Sequence, residues 1–185
     1  YLIEAGPRLL AGMSEESSAH AEQFLREMGV NILLNKRVVD YRDHKVVLED
    51  GTEIATRTFI WVSGVTGVTI GNLDASLIGR GGRIKVDSFN RVEGMNNVFA
   101  IGDQCIQLAD ENYPNGHPQL AQVAIQQGEL LAKNLIRMEK GQEMKPFHYR
   151  NLGSMATVGR NRAVAEFSKV KMQGWFAWVM WLVVH

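Results

Sequence analysis

The sequence predicts an α/β fold, a parallel sheet with a small β-ribbon over one face. Three observations point there. The apolar run Tyr1-Leu2-Ile3 stops at the turn-forming Glu4-Ala5-Gly6-Pro7. Ala21, Phe24, Leu25 and Met28 follow at helical spacing. Three short β-rich runs then lead to a further apolar run over residues 58–62. A strand, a helix and a meander that returns to a strand is the pattern of an α/β layer.

Each element has a local reason. Ser14 can cap the first helix, and Gly29 is a natural stop. Residues 30–34, 37–41 and 45–48 read as strands, with Asp50-Gly51 as a turn and 58–62 as the strand that closes the series. Residues 64–82 are rich in Gly, Thr and Asn and read as a crossover between two lobes. Strands are expected over 83–87 and 98–101. A long helix is expected from Pro118, at its first position, to about Arg137. Residues 141–146 read as a linker, and the chain closes in the apolar segment 175–184. Both ends fall inside apolar runs, as in a piece of a longer protein.

Composition narrows the function classes. Among 185 residues, 20 Lys and Arg balance 20 Asp and Glu, which disfavours a nucleic-acid binder relying on general basicity. The balance is uneven, because residues 145–185 hold six bases and one acid, Glu166. Cys105 is the single cysteine, so no intrachain disulfide can form. His20, His44, His117 and His148 have no metal-ligand spacing, and no metal site is expected.

Four features carry candidate chemistry. Gly102-Asp103 follows the apolar string Val98-Phe99-Ala100-Ile101. It reads as a turn, or as a sheet edge where Gly admits a ligand and Asp accepts hydrogen bonds from its hydroxyls. The helix after it carries Gln119, Gln122 and Gln126 on one side and Leu120, Val123, Ala124, Gln127 and Leu131 on the other. No charged residue lies between His117 and Glu129, so this is a buried packing face or a ligand wall. The positive end of that helix could stabilise the negative charge of a reduced flavin. Glu4 could bind the hydroxyls of an adenosine ribose, or be an exposed turn residue. Trp175, Phe176, Trp178, Val179, Trp181 and Leu182, with Lys169 and Lys171 upstream, suit a membrane interface; a core or dimer helix is the alternative.

Taken in order, five strings resemble one family. They are Leu2-Ile3-Glu4-Ala5-Gly6-Pro7-Arg8-Leu9-Leu10, Trp61-Val62-Ser63-Gly64-Val65, Asn97-Val98-Phe99-Ala100-Ile101-Gly102-Asp103, Ala121-Gln122-Val123-Ala124-Ile125-Gln126-Gln127-Gly128 and Gly153-Ser154-Met155-Ala156-Thr157-Val158-Gly159-Arg160. The chain resembles the C-terminal part of type II NADH dehydrogenase, the single-chain, non-proton-pumping NADH:quinone oxidoreductase. The third string is shared across many related flavoproteins; the fourth and fifth together are far more specific.

The resemblance implies a two-dinucleotide-binding-domain flavoprotein of FAD/NAD(P)-binding, Rossmann-like type, C-terminal portion only, with a truncated amphipathic membrane-associating tail. Residues 1–66 would belong to the NADH-binding domain, 67–140 to the returning part of the FAD-binding domain, and 141–185 to the region leading into the membrane anchor. Gly102 and Asp103 would hold FAD at its ribityl chain, and Ala121 and Gln122 would sit at the flavin ring. Glu4, Val38 and Gly64 would line the NADH site. Gln122 and Gln126 would border the quinone path. Trp175, Phe176, Trp178 and Trp181 would meet the membrane. Many members carry Lys just before the Gly-Ser-Met segment, where this chain has Leu152.

The activity implied is hydride transfer from NADH to the flavin, then passage of two electrons to a membrane quinone, with protons from solvent. The catalytic groups themselves are unassigned. Implied partners are NADH, the quinone and the membrane surface, with no nucleic acid and a homodimer left open. The implied location is peripheral, on the cytoplasmic face of the inner membrane. Competing readings are a sulfide:quinone or ferredoxin reductase of the same superfamily, and a non-catalytic membrane-surface module.

Overall fold

The computed structural model describes residues 1–68, 70–167 and 170–184. Two compact units divide it, one of Tyr1–Trp61 with Leu152–His185 and one of Val62–Asn151. The first opens with β1 (Leu2–Ile3), α1 (Glu15–Glu27) and β2 (Ile32–Leu33). The strands pair in parallel, Leu2 opposite Ile32, as the α/β reading requires. Both strands are short, and β1 is half-buried rather than buried. Ser14 caps α1 and accepts the Ser17 N–H; Glu15 and Glu16 sit in its positive first turn. Gly29, at φ +81°, takes the left-handed position that ends the helix.

Next come β3 (Val38–Arg42), β4 (Lys45–Leu48) and β5 (Glu53–Ala55), an antiparallel ribbon in the order β3-β4-β5. Its first hairpin turns on Asp43 and His44, both at positive φ, the geometry of a two-residue primed turn. The strand expected over 58–62 does not form: the stretch has no ladder partner, and Ile60, Trp61 and Val62 are 75%, 60% and 87% exposed. Strand-forming residues make a strand only where another backbone accepts their hydrogen bonds.

In the second unit β6 (Ile84–Val86) pairs in parallel with β7 (Cys105–Gln107). Ile84, Val86, Val92, Ala100 and Cys105 form one of its core clusters. The string Val98–Ile101, expected as a strand, joins the fold through the bridge Arg91·Phe99 and the bonds of Val98 and Ala100 to Val92 and Asn90. The long helix, α2, runs Ala121–Glu139. It begins three residues later than expected, because the Leu120 N–H turns back to the Pro118 carbonyl. Leu120 therefore occupies the cap position, and Ala121 rather than Pro118 the first helical one.

The final segment adds three strands the sequence reading lacked: β8 (Ser154–Thr157), β9 (Ala163–Phe167) and β10 (Val170–Gln173). They form an antiparallel sheet in the order β10-β9-β8, packed within the first unit. Glu166 of β9 accepts the Ser14 N–H at 3.0 Å and the Ser17 hydroxyl at 2.6 Å, with the Ser14 hydroxyl also donating. It therefore docks the sheet on the start of α1. The last helix, α3 (Gly174–Val184), packs Ala177 on Ala163 and Ala165. The amphipathic tail expected here is instead apolar on every side, since residues 174–184 contain no charge. Trp175 and Phe176 are 56% and 69% exposed, while Trp178 and Trp181 are half-buried. Among the described residues no helix is long and apolar enough to cross a membrane. Lys169 and His185, part of the expected membrane segment, lie outside the described residues.

Candidate functional site

In the second unit Gly102 and Asp103 open a single 3₁₀ turn between Ile101 and β7. Gly102 has φ +63°, the left-handed region that favours Gly. A Cβ there would stand 3.2 Å from the Cβ of Ala124, so α2 lies directly against this turn. The Gly102 N–H is donated to Gln127 Oε1 at 2.7 Å, and Gln119 Nε2 donates to the Asp103 carbonyl at 3.3 Å. The structure thus brings Gly102 and Asp103 beside the first turns of α2, where Ala121 and Gln122 lie. Asp103 is exposed, and among the described residues its carboxylate accepts no hydrogen bond. Its charge is felt by the buried Arg83 guanidinium, whose pKa burial lowers and Cys105 and Asp103 raise.

The start of α2 has an electrostatic peculiarity. Leu120 offers no capping side chain, and no acid sits in the first turn. The first N–H groups of a helix have no acceptor inside the helix, and they carry its positive end. An uncapped positive end beside an exposed carboxylate fits a ligand with both hydroxyl donors and an electron-rich edge. A flavin with its ribityl chain is such a ligand.

The Gln face divides on inspection. Gln126 clamps the backbone of Arg150, donating to its carbonyl at 2.9 Å and accepting its N–H at 3.0 Å. Gln126 also lines a shallow groove of about 300 Å³ with Glu129, Leu130, Pro146, Phe147 and His148; Gly102, Asp103, Ala121 and Gln122 are not among its lining residues. Gln122 is half-buried. Ala121 is exposed, as is Leu152 at 58%.

Of the positions expected around NADH, Glu4 directly follows β1 and is half-buried, its Oε1 accepting the Gly6 N–H at 2.7 Å. Val38 begins β3, half-buried and opposite Leu48. Gly64, in the second unit, has φ +78° and is exposed.

Sequence reasoning missed the polar core beneath the α2 entry loop. His117 Nε2 and Asp110 Oδ2 are 2.9 Å apart, with side chains 2% and 4% exposed. Hydrogen bonds from His117 and then Asn112, with the His117 charge, hold the Asp110 carboxyl below its usual range against the opposing effect of burial. The His117 ring sits among Tyr113, Phe147 and Tyr149. Arg83 ties both ends of the loop, donating to the Cys105 carbonyl at 2.6 Å and the His117 carbonyl at 3.1 Å. Burial pushes the Cys105 thiol up, so it is a packed thiol rather than a nucleophile. The only signal for this core in the sequence was a His and an Asp in one loop, which turn chemistry explains equally well.

Comparison with known proteins supplies the rest. Residues 1–128 match the family described as pyridine nucleotide-disulphide oxidoreductase. The chain is 36% identical to the type II NADH:quinone oxidoreductase NdhA of Mycobacterium tuberculosis, over all of this chain and 40% of that protein. It is 33% identical to the internal alternative NAD(P)H-ubiquinone oxidoreductase A1, mitochondrial, of Arabidopsis thaliana, over 97% of this chain and 38% of that one. The chain therefore spans about 40% of the length of these curated relatives. The structure of NDH2 from Plasmodium falciparum in complex with NADH superposes with a TM-score of 0.85, covering 98% of this chain and 52% of that one. At 20% identity that likeness shows the fold alone.

Proposed function

The chain belongs to the pyridine nucleotide-disulphide oxidoreductase family, and from that premise we propose that it is part of a respiratory enzyme passing electrons from NADH through FAD to a membrane quinone. Members of this family are FAD-binding flavoproteins. The observation that carries the reading is the pairing of an exposed Asp103 with the uncapped start of α2, held together through Gly102. A relative 36% identical over the whole chain bears the same activity in its name.

Bound FAD would supply the redox chemistry, taking a hydride at one face of its ring and releasing two electrons. The residues of the chain bind and orient. Asp103 accepts hydrogen bonds from ribityl hydroxyls. The positive end of α2 at Ala121 and Gln122 favours the electron-rich edge of the ring and stabilises added negative charge. Gln122, half-buried at that helix start, borders the quinone. Gln126 supports that border by fixing the Arg150 backbone. Glu4 holds the adenosine ribose of NADH through the carboxylate oxygen not bonded to Gly6, and a carboxylate there repels a 2′-phosphate. Val38 lines the adenine pocket, and Gly64 borders the nicotinamide. Residues 1–66 and 67–140 then serve the NADH and FAD halves, and 141–185 leads to the membrane. The exposed apolar surface of Trp175 and Phe176 supports attachment to a bilayer surface, assigned here to the cytoplasmic face of the inner membrane.

The test is the Gln122→Leu variant of the full-length protein, read by stopped-flow in two half-reactions. Reduction of the flavin by NADH should stay within about twofold, while reoxidation by a soluble quinone falls on the order of tenfold or more, the loss of one oriented hydrogen bond. Equal loss in both halves, or none, removes the quinone assignment.

A further inference from the structure

Gln127 stands in the small-residue stripe of α2, yet its side chain does something packing does not require. It is 1% exposed, the most deeply buried glutamine amide of the helix. Its Oε1 accepts the Gly102 N–H at 2.7 Å and lies 3.7 Å from Cys105 Sγ. The stripe around it lets the helix come close. A Cβ on Gly102 would meet Ala124 at 3.2 Å, and one on Gly128 would meet the Ile101 side chain at 3.8 Å. So Ala124, Gln127 and Gly128 press on Ile101 and Gly102, and a single acceptor oxygen fixes the peptide between them.

That peptide is the one whose direction matters. Gly102 sits at φ +63°, and the backbone leaving it carries Asp103. The Gly102 N–H is half-buried and points at the fully buried Gln127 oxygen, so without Gln127 the turn must shift toward another acceptor or leave the group unpaired. The acceptor also comes from the helix whose first turn faces Asp103, which makes the turn and the helix start one rigid piece.

We propose that Gln127 is a positioning residue of the flavin site. Its oxygen holds Gly102 in the left-handed conformation and so sets the spacing between the Asp103 carboxylate and the positive end of α2. The inference rests on the flavin reading of Asp103 given above. It assigns Gln127 no contact with the cofactor; the residue acts through Gly102.

Three variants of the full-length protein test it. Gln127→Met keeps length and volume and loses the acceptor; Gln127→Glu keeps an acceptor oxygen in either protonation state; Asp103→Ala tests the underlying reading. Each is measured for FAD dissociation, for the visible flavin spectrum and for melting of the apoprotein. Gln127→Met should weaken FAD retention on the order of tenfold and shift the flavin spectrum, with Gln127→Glu restoring retention to within about threefold of wild type. If Asp103→Ala weakens FAD but Gln127→Met does not, or if Gln127→Glu is as poor as Gln127→Met, the positioning role is overturned and the flavin reading stands. If Asp103→Ala leaves FAD retention unchanged, the flavin reading itself falls. Should Gln127→Met not fold, Gln127→Asn replaces it with the same outcomes, its amide being one methylene too short to reach Gly102.

Discussion

The His117–Asp110 pair offers a sharp test of the polar core beneath α2. In Asp110→Asn the shape is kept and the charge is lost. Asp110 Oδ2 lies 2.9 Å from His117 Nε2, and Oδ1 accepts the Asn112 N–H at 3.0 Å. An asparagine amide has one acceptor oxygen where the carboxylate has two. With its oxygen on the Asn112 N–H, its NH₂ group faces His117 Nε2, which can accept only as the Nδ1–H tautomer, whose buried donor then has no partner among the described residues. A buried donor left unpaired costs about 1–3 kcal/mol, and loss of charge assistance at the other contact brings the total to about 2–4 kcal/mol. The measurement is urea unfolding of the full-length protein followed by far-ultraviolet circular dichroism, with stability taken from the midpoint and slope. A difference under about 0.5 kcal/mol at pH 7, the ordinary range for an indifferent surface change, refutes the reasoning.

The sign of the pH dependence is a second check. The folded carboxyl titrates below its usual value of 3.8, so the unfolded chain binds its proton more readily. Its contribution is complete above the unfolded value and disappears as pH falls through the lower, folded one. The gap between wild type and Asp110→Asn should therefore persist unchanged from pH 7 down to about pH 5 and close only in stronger acid. Closure between pH 7 and pH 5 would mean that another group carries the effect.

Other outcomes follow from single contacts. Glu166→Ala removes the acceptor of the Ser14 and Ser17 donors and should destabilise the first unit by about 1–3 kcal/mol, read by thermal melting. Gly102→Ala forces a Cβ into the left-handed region and against Ala124; a cost of about 1–2 kcal/mol with reduced FAD content is expected, and an unchanged melting curve would contradict the geometry. The double change Trp175→Ser, Phe176→Ser touches exposed positions and leaves the Ala177 contact intact, so it should lower flotation with liposomes while NADH–ferricyanide activity persists.

What the sequence disclosed depended on how local the cause was. The cap at Ser14, the stop at Gly29 and the turn at Asp50-Gly51 act within a few residues, and α1, β3 and β4 were legible from them, while β5 formed before the strand expected at 58–62. The strands β8 to β10 were not. Their buried centre, Ala163-Val164-Ala165, is small and lacks the alternation that marks a half-buried strand. The docking of Glu166 on Ser14 joins residues 152 positions apart, which no window on the sequence can see. The stretches 58–62 and 98–101 erred in the opposite direction: their β-forming residues were plain, but pairing is decided by neighbours.

The uncharged face of α2 was legible as something buried, and its chemistry explains why the reading stopped short. An amide donates and accepts at once without charge, so it can satisfy a backbone peptide in a site too dry for a carboxylate. Three residues of α2 hold backbone through their amides, Gln127 and Asn134 with buried side chains and Gln126 nearer the surface. Gln126 takes both backbone groups of Arg150, Asn134 takes both of Lys145, with distances of 2.8 and 2.9 Å, and Gln127 takes the N–H of Gly102. The first two pin the segment from Lys145 to Arg150 along the helix; the third pins the turn that carries Asp103. An amide that holds backbone and an amide that meets a ligand have the same signature in sequence, because both need a neutral donor–acceptor pair out of water. Only the partner separates them, and on this helix the partner of Gln126, Gln127 and Asn134 is the backbone of the chain. The ligand-facing role proposed above is accordingly assigned to the start of α2, where Leu120 offers no capping side chain.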